Sequence, residues 1–218
     1  MEIKNNFTSS VTLGSFNPAI LTPEFIREQE IWDETEIEKS NKTPVFSELT
    51  FPNASFLVEL ERFQVISRDP ENFGDPGIVR AACQYVEILQ YTPVFVQGIN
   101  FNIDLIDFYD NEKLQSLFDD PEKGFSNLIH GFNQLLLDKK MSISQSKREV
   151  VSFNCKYSIN DYSSVSISFQ KQGERIRINY NFEVTEIDKN KDRLNFICRN
   201  YENIHEGFVN FEKQLKGE

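Results

Sequence analysis

The cleanest pattern of apolar and polar positions lies late in the chain. From Arg148 to Ile159, Val151, Phe153, Cys155, Tyr157 and Ile159 share one parity, and Ser152, Asn154, Lys156 and Ser158 the other. Val165, Ile167 and Phe169 alternate with Ser164, Ser166, Ser168 and Gln170, and Ile176, Ile178, Tyr180, Phe182 and Val184 alternate with Arg175, Arg177, Asn179, Asn181 and Glu183. Period-two alternation predicts three strands of a sheet with one buried and one wet face. Parity also predicts register. A two-residue turn at Gln172-Gly173 pairs Phe169 with Ile176 and Ile167 with Ile178. A three-residue loop, Asn160-Asp161-Tyr162, pairs Ile159 with Ser163, whereas a two-residue loop would set Tyr157 against Ser164.

Earlier strands are less regular. Val45–Phe51 and Phe56–Ser67 read as a hairpin about Pro52-Asn53-Ala54, and the change of parity between Leu60 and Phe63 suggests a bulge near Glu61-Arg62. Pro93–Ile106 reads as a long strand with Phe95, Ile99, Phe101, Ile103 and Leu105 on one face, and Thr8–Phe16 as a further strand.

Helical signals separate these strands. Asp75-Pro76 is an N-cap followed by proline at the first helical position, and Ile78, Ala82, Val86 and Leu89 form a stripe that Thr92-Pro93 stops. Leu114, Leu117 and Phe118 mark a short helix, and Phe125, Leu128, Ile129, Phe132, Leu135 and Leu136 a second. A last helix is predicted from about Lys189 to Leu215, where Leu194, Ile197, Tyr201, Ile204, Phe208, Phe211 and Leu215 recur at alternating spacings of three and four. Each of these side chains is worth about 1.5–3 kcal/mol when fully buried, so the stripe must dock. The chain's own sheet is one expected surface, and a second copy, giving a homodimer through the C-terminal helix, is the other.

The order β-α-ββ-α-β-αα-βββ-α has few parallel crossovers. It predicts a single α+β domain over residues 1–218, with a curved, mainly antiparallel sheet packed on a long C-terminal helix. This order resembles the helix-grip arrangement of START-type domains, a likeness that does not give function.

Composition narrows the classes. Of 218 residues 39% are apolar, enough for a sizeable core, and no apolar run is long enough to span a membrane. Cys83, Cys155 and Cys198 are odd in number and widely spaced, so three reduced, buried thiols are expected. With no secretory h-region at the start, they predict a cytoplasmic protein. The formal net charge of −11 disfavours nucleic acid as a general partner. The charge is polarised: Glu24–Glu38 and Asp104–Glu122 each hold seven acids against one base, whereas Lys139–Arg177 holds eight bases against three acids.

Catalytic chemistry finds little support. His130 and His205 have no partner at ligand or nucleophile–base spacing, and Asp104, Asp107 and Asp110 lack the glycine and closing glutamate of a calcium loop. No phosphate loop, dinucleotide fingerprint, nucleophile elbow or CxxC pair is present, so no catalytic residue, cofactor or metal is expected. The wet face of the late strands is the candidate site. The register aligns Asn154–Ser168–Arg177 and Lys156–Ser166–Asn179, with Arg175 and Arg148 nearby. Such a face suits a carboxylate, a phosphate or an acidic loop, and it lacks the exposed aromatics that stack bases. A non-enzymatic binding or assembly subunit with a protein partner is therefore the leading expectation. The alternatives are a small-ligand or enzymatic domain with a pocket between sheet and last helix, and an acidic inhibitor that mimics nucleic acid.

Gly14-Ser15-Phe16-Asn17-Pro18-Ala19-Ile20, Tyr91-Thr92-Pro93 and Gly98-Ile99-Asn100 occur in that order. They resemble a family of uncharacterised bacterial proteins with an FNPAI-like N-terminal element and a later TP…GIN strand. The resemblance implies a bacterial or phage origin and no particular activity.

Overall fold

The computed structural model describes residues 2–106, 112–121, 123, 138–146 and 149–216. The fold is mixed α and β, with a large, mainly antiparallel sheet and a C-terminal helix. In chain order the elements are β1 (Glu2–Gly14), α1 (Pro23–Glu28), β2 (Lys39–Thr43), β3 (Phe46–Thr50), β4 (Ala54–Glu59) and β5 (Arg62–Ser67). There follow α2 (Pro76–Ile88), β6 (Val94–Ile106), α3 (Glu112–Asp119), β7 (Asp138–Ser146) and β8 (Glu149–Ser158). The chain continues with β9 (Ser163–Gln172), β10 (Arg175–Thr185), α4 (Phe196–Arg199) and α5 (Tyr201–Lys216). The second helix expected between Asp120 and Asp138 lies outside the described residues. Two compact units are present: Phe7–Asn100 with Glu183–Tyr201, and Phe101–Phe182 with Met1–Asn6 and Glu202–Glu218.

In the first unit the strands run β2-β3-β4-β5-β1-β6. The parity change expected as a bulge is a turn. Val58 lies opposite Phe63 and Phe56 opposite Val65, so β4 and β5 are two strands joined at Leu60-Glu61. A reversal of direction flips parity along the sequence while Phe56, Val58, Phe63 and Val65 all stay buried. β2 has no apolar residue and is exposed throughout, so no pattern announced it. On β6 the buried parity begins at Gln97; Phe95, expected on the same face, is 47% exposed.

A capping side chain followed by proline starts three helical segments, that of α2 where expected. Asp75 Oδ1 accepts from Gly77 N at 2.8 Å, opening α2, whose Ile78, Ala82 and Val86 are buried. Asn17 Oδ1 accepts from Ala19 N at 3.0 Å, and Thr22 Oγ1 from Phe25 N at 3.1 Å, so Pro18 and Pro23 each follow a cap. The Pro93 carbonyl meets the start of this segment, accepting from Ser15 N at 3.0 Å. A Cβ on Gly14 would fall 2.2 Å from that same oxygen. Gly14→Ala should therefore displace backbone and cost about 1–3 kcal/mol, as overpacking does. Chemical denaturation checks this, and an unchanged midpoint would mean that the close approach is not enforced.

In the second unit the strands run β6-β10-β9-β8-β7. The β8–β9 register is as expected, with Tyr157 opposite Val165, Phe153 opposite Phe169 and a three-residue loop. Asn160 holds that loop: its Oδ1 accepts from Tyr162 N at 3.0 Å and Ser163 N at 2.8 Å. The β9–β10 turn differs. β9 ends at Gln172 and β10 begins at Arg175, leaving Gly173-Glu174 as the turn, with Gly173 at φ 63°. Asn181 Nδ2 donates to Ser166 Oγ at 3.4 Å, where Asn179 was expected opposite Ser166. The register is thus two residues from the expected one. Glycine takes the first turn position because a two-residue hairpin needs positive φ there. β7 was not anticipated; it pairs antiparallel with β8 and shifts register at Ser144/Gln145.

The expected long C-terminal helix is broken. Asn195 sits at φ 59°, α4 follows, and Asn200 Nδ2 returns to Phe196 O at 2.9 Å before α5 begins. A side chain that hydrogen-bonds backbone locally competes with helix continuation. The stripe nevertheless keeps its face: Ile204, Phe208, Phe211 and Leu215 are buried. Phe208 stacks on Phe101 at 4.6 Å and meets Tyr180 edge-on at 5.7 Å, while Phe211 packs on Tyr180 and Phe169. Phe208 and Phe211 are thus covered by strand residues of their own unit, the first of the two surfaces expected for the stripe.

Candidate functional site: the polar face of the meander

Alternation along β8, β9 and β10 sorts their side chains as expected. Ile176, Ile178, Tyr180, Phe182 and Val184 are buried, and Asn154, Lys156 and Arg177 are exposed. Asn154 lies opposite Ser168 and Lys156 opposite Ser166, the two cross-strand pairs expected from parity. Arg148 lies outside the described residues.

Arg175 and Arg177 are not the free cations that the sequence suggested. Both reach across to Asp104 on β6. Arg177 Nε donates to Asp104 Oδ1 at 2.9 Å and its terminal nitrogen to Oδ2 at 3.2 Å, a two-pronged grip on one carboxylate. Arg175 donates to Oδ2 at 3.4 Å and to Gln172 Oε1 at 2.9 Å. Asp104 is 2% exposed, whereas the two arginine side chains remain 42% and 44% exposed. The carboxylate beside it, through hydrogen bonding first and Coulomb attraction second, holds the Arg177 guanidinium above its ordinary pKa. One row further along, Asn179 Nδ2 donates to Asn102 Oδ1 at 2.8 Å.

Asp104 stands in sequence with Asp107 and Asp110, a spacing that does not make a calcium loop. Its oxygens are instead occupied by guanidinium, and Asp107 and Asp110 lie outside the described residues. Among the described residues no three His, Cys, Asp or Glu side chains come together to hold a metal ion. The signal for its true role was its parity. Asn102 and Asp104 share the wet parity of β6, as Asn179 and Arg177 do on β10, but which strands neighbour each other was hidden.

The acidic stretch Glu24–Glu38 is also partly engaged internally. Glu34 accepts from Trp32 Nε1 at 3.0 Å and from Asn53 N at 3.1 Å, and Glu38 pairs with Arg68. Cys198 belongs to α4, and His205 on α5 lies 5.6 Å from Phe101, its ring stacked. Burial lowers the His205 pKa, against a smaller opposing pull from Glu212.

Among the described residues no helix is long and apolar enough to cross a membrane. No protein-family model matches the chain, and no curated protein matches it. Among solved structures, CalU16 from Micromonospora echinospora aligns over 56% of this chain and 85% of its own, at 9% identity and a TM-score of 0.24, a likeness that carries no argument about fold or function.

Proposed function

We propose that the protein is a non-catalytic binding or assembly subunit whose meander face receives an acidic segment of a protein partner. The observation that carries this reading is the clamp: one buried carboxylate orients two guanidinium groups that stay more than two-fifths exposed. Two cations against one anion leave this cluster at +1. Their forks are held in place in advance, which lowers the ordering cost of receiving a further carboxylate. Lys156, with Asn154 beside it, extends the same polar surface. The competing pocket reading places a ligand where Phe208 and Phe211 already fill the space against Phe101, Tyr180 and Phe169.

A Glu-rich peptide titrated against the full chain tests the proposal. Binding should weaken steeply between low and physiological salt, and Lys156→Glu should reduce low-salt affinity about threefold or more. The Lys156 site is exposed, so folding should be retained. Equal affinity of the two proteins, or affinity indifferent to salt, would sink the reading.

A further inference from the structure

An acidic surface on the first unit is built rather than slack. Between Glu24 and Glu36 five acids are exposed, Glu24, Glu28, Glu30, Asp33 and Glu36, against one exposed base, Arg27. None of the five forms an ion pair among the described residues. The segment that bears them is pinned. Ile26 and Ile31 are buried, and Trp32 meets Phe56 edge-on at 5.9 Å. Gln84 Nε2, reaching from α2, donates to the Gln29 carbonyl at 2.8 Å and to the Glu30 carbonyl at 3.3 Å. Like charges fixed on an ordered segment cannot spread apart, and an approaching cation relieves their repulsion. Its ordering entropy is met on folding, so docking it adds little to the cost. The unit as a whole, Phe7–Asn100 with Glu183–Tyr201, holds eighteen acids against ten bases, a formal charge of −8.

The meander carries the complement. From residue 152 to residue 181 the wet parity of β8, β9 and β10 bears Lys156, Arg175 and Arg177, and the first acid on it is Glu183. Arg175 and Arg177 stand two residues apart on β10, about 7 Å along the strand, which leaves room for two carboxylates side by side. Asp104 fixes both forks while each stays more than two-fifths exposed.

We infer that the acidic segment received by the meander face is Glu24–Glu36 of a second copy of this chain, so that the protein associates with itself, the first unit of one copy on the second unit of the next. The inference rests on the reading of the clamp given above and names its partner. Total charge does not forbid the contact. At physiological salt the Debye length is about 8 Å, so two chains of −11 feel each other mainly through the patches that touch. The interface is heterologous: after one contact forms, a loop and a clamp are still on offer, and association continues unless the rotation closes.

Sedimentation velocity of the full chain over a concentration series tests this. The mean sedimentation coefficient should rise with concentration, and the rise should shrink toward 1 M salt, where the screening length falls to about 3 Å. Asp33→Lys with Glu36→Lys should weaken self-association about tenfold or more, and Lys156→Glu about threefold or more. All three sites are exposed, so the fold, followed by circular dichroism, should be kept. An equimolar mixture of the two variants retains one intact loop and one intact clamp, and should associate more tightly than either variant alone. The Glu-rich peptide should compete for the clamp and dissolve the self-association. A chain that stays monomeric at every concentration and salt, or whose association neither variant changes, would overturn the inference. The peptide then separates the two readings: binding to a monomeric chain keeps the clamp as a receptor for another protein's acids, and no binding removes both.

Discussion

Replacing Phe208 with alanine is expected to cost about 3–5 kcal/mol of folding stability, the range for aromatic truncation in a packed core. The ring is fully buried, stacked at 16° on Phe101 and set at 75° to Tyr180. Both neighbours are rigid aromatics on strands, so the space left would close poorly, and a residual cavity adds to the lost transfer energy. Urea denaturation with and without the substitution measures the loss. A cost under about 1 kcal/mol would show that α5 is not docked as described.

The double change Arg175→Ser with Arg177→Ser separates decoration from structure. Strand parity alone places both on a wet face, where surface changes fall within about ±0.5 kcal/mol each. The structure reverses that expectation. Removing both guanidiniums takes two ion-pair partners from Asp104, which is 2% exposed, and breaking a buried pair in this way costs about 3–5 kcal/mol. Changing both to lysine should recover most of the stability at neutral pH, because each lysine supplies a charge without the planar fork. Asp104→Asn should be milder than the serine pair, since the exposed arginines can turn to water. A loss below about 1 kcal/mol for the serine pair would refute the clamp.

These two cases show what could be read from the chain. Burial alternation is local, so the dry faces of β8, β9 and β10 were legible residue by residue. Turn placement at Gly173 was not, because a shift of two residues preserves parity and puts apolar residues opposite apolar ones in either register. The last helix misled for a related reason: its break at Asn200 leaves the buried stripe in phase. Leu60-Glu61 was read as a bulge because a turn and an extra residue both invert parity. The polar face was half legible. Asn154 opposite Ser168 followed from the loop length, but the partner of Arg177 depended on β6 lying beside β10, which no local pattern reports.

The composition of β2 bears on how the protein behaves at high concentration. A strand at the end of a sheet offers unpaired backbone groups to any passing chain. Here that strand reads Lys-Ser-Asn-Lys-Thr, exposed throughout, with Lys39 held by Glu48 at 2.7 Å and Lys42 reaching the Ala19 carbonyl at 3.0 Å. Any strand added to this edge would have to strip water from ammonium groups and gain no apolar contact in return. The segment that showed no sequence pattern thus opposes the growth of fibrils from one side of the sheet, a service visible only when the protein is crowded.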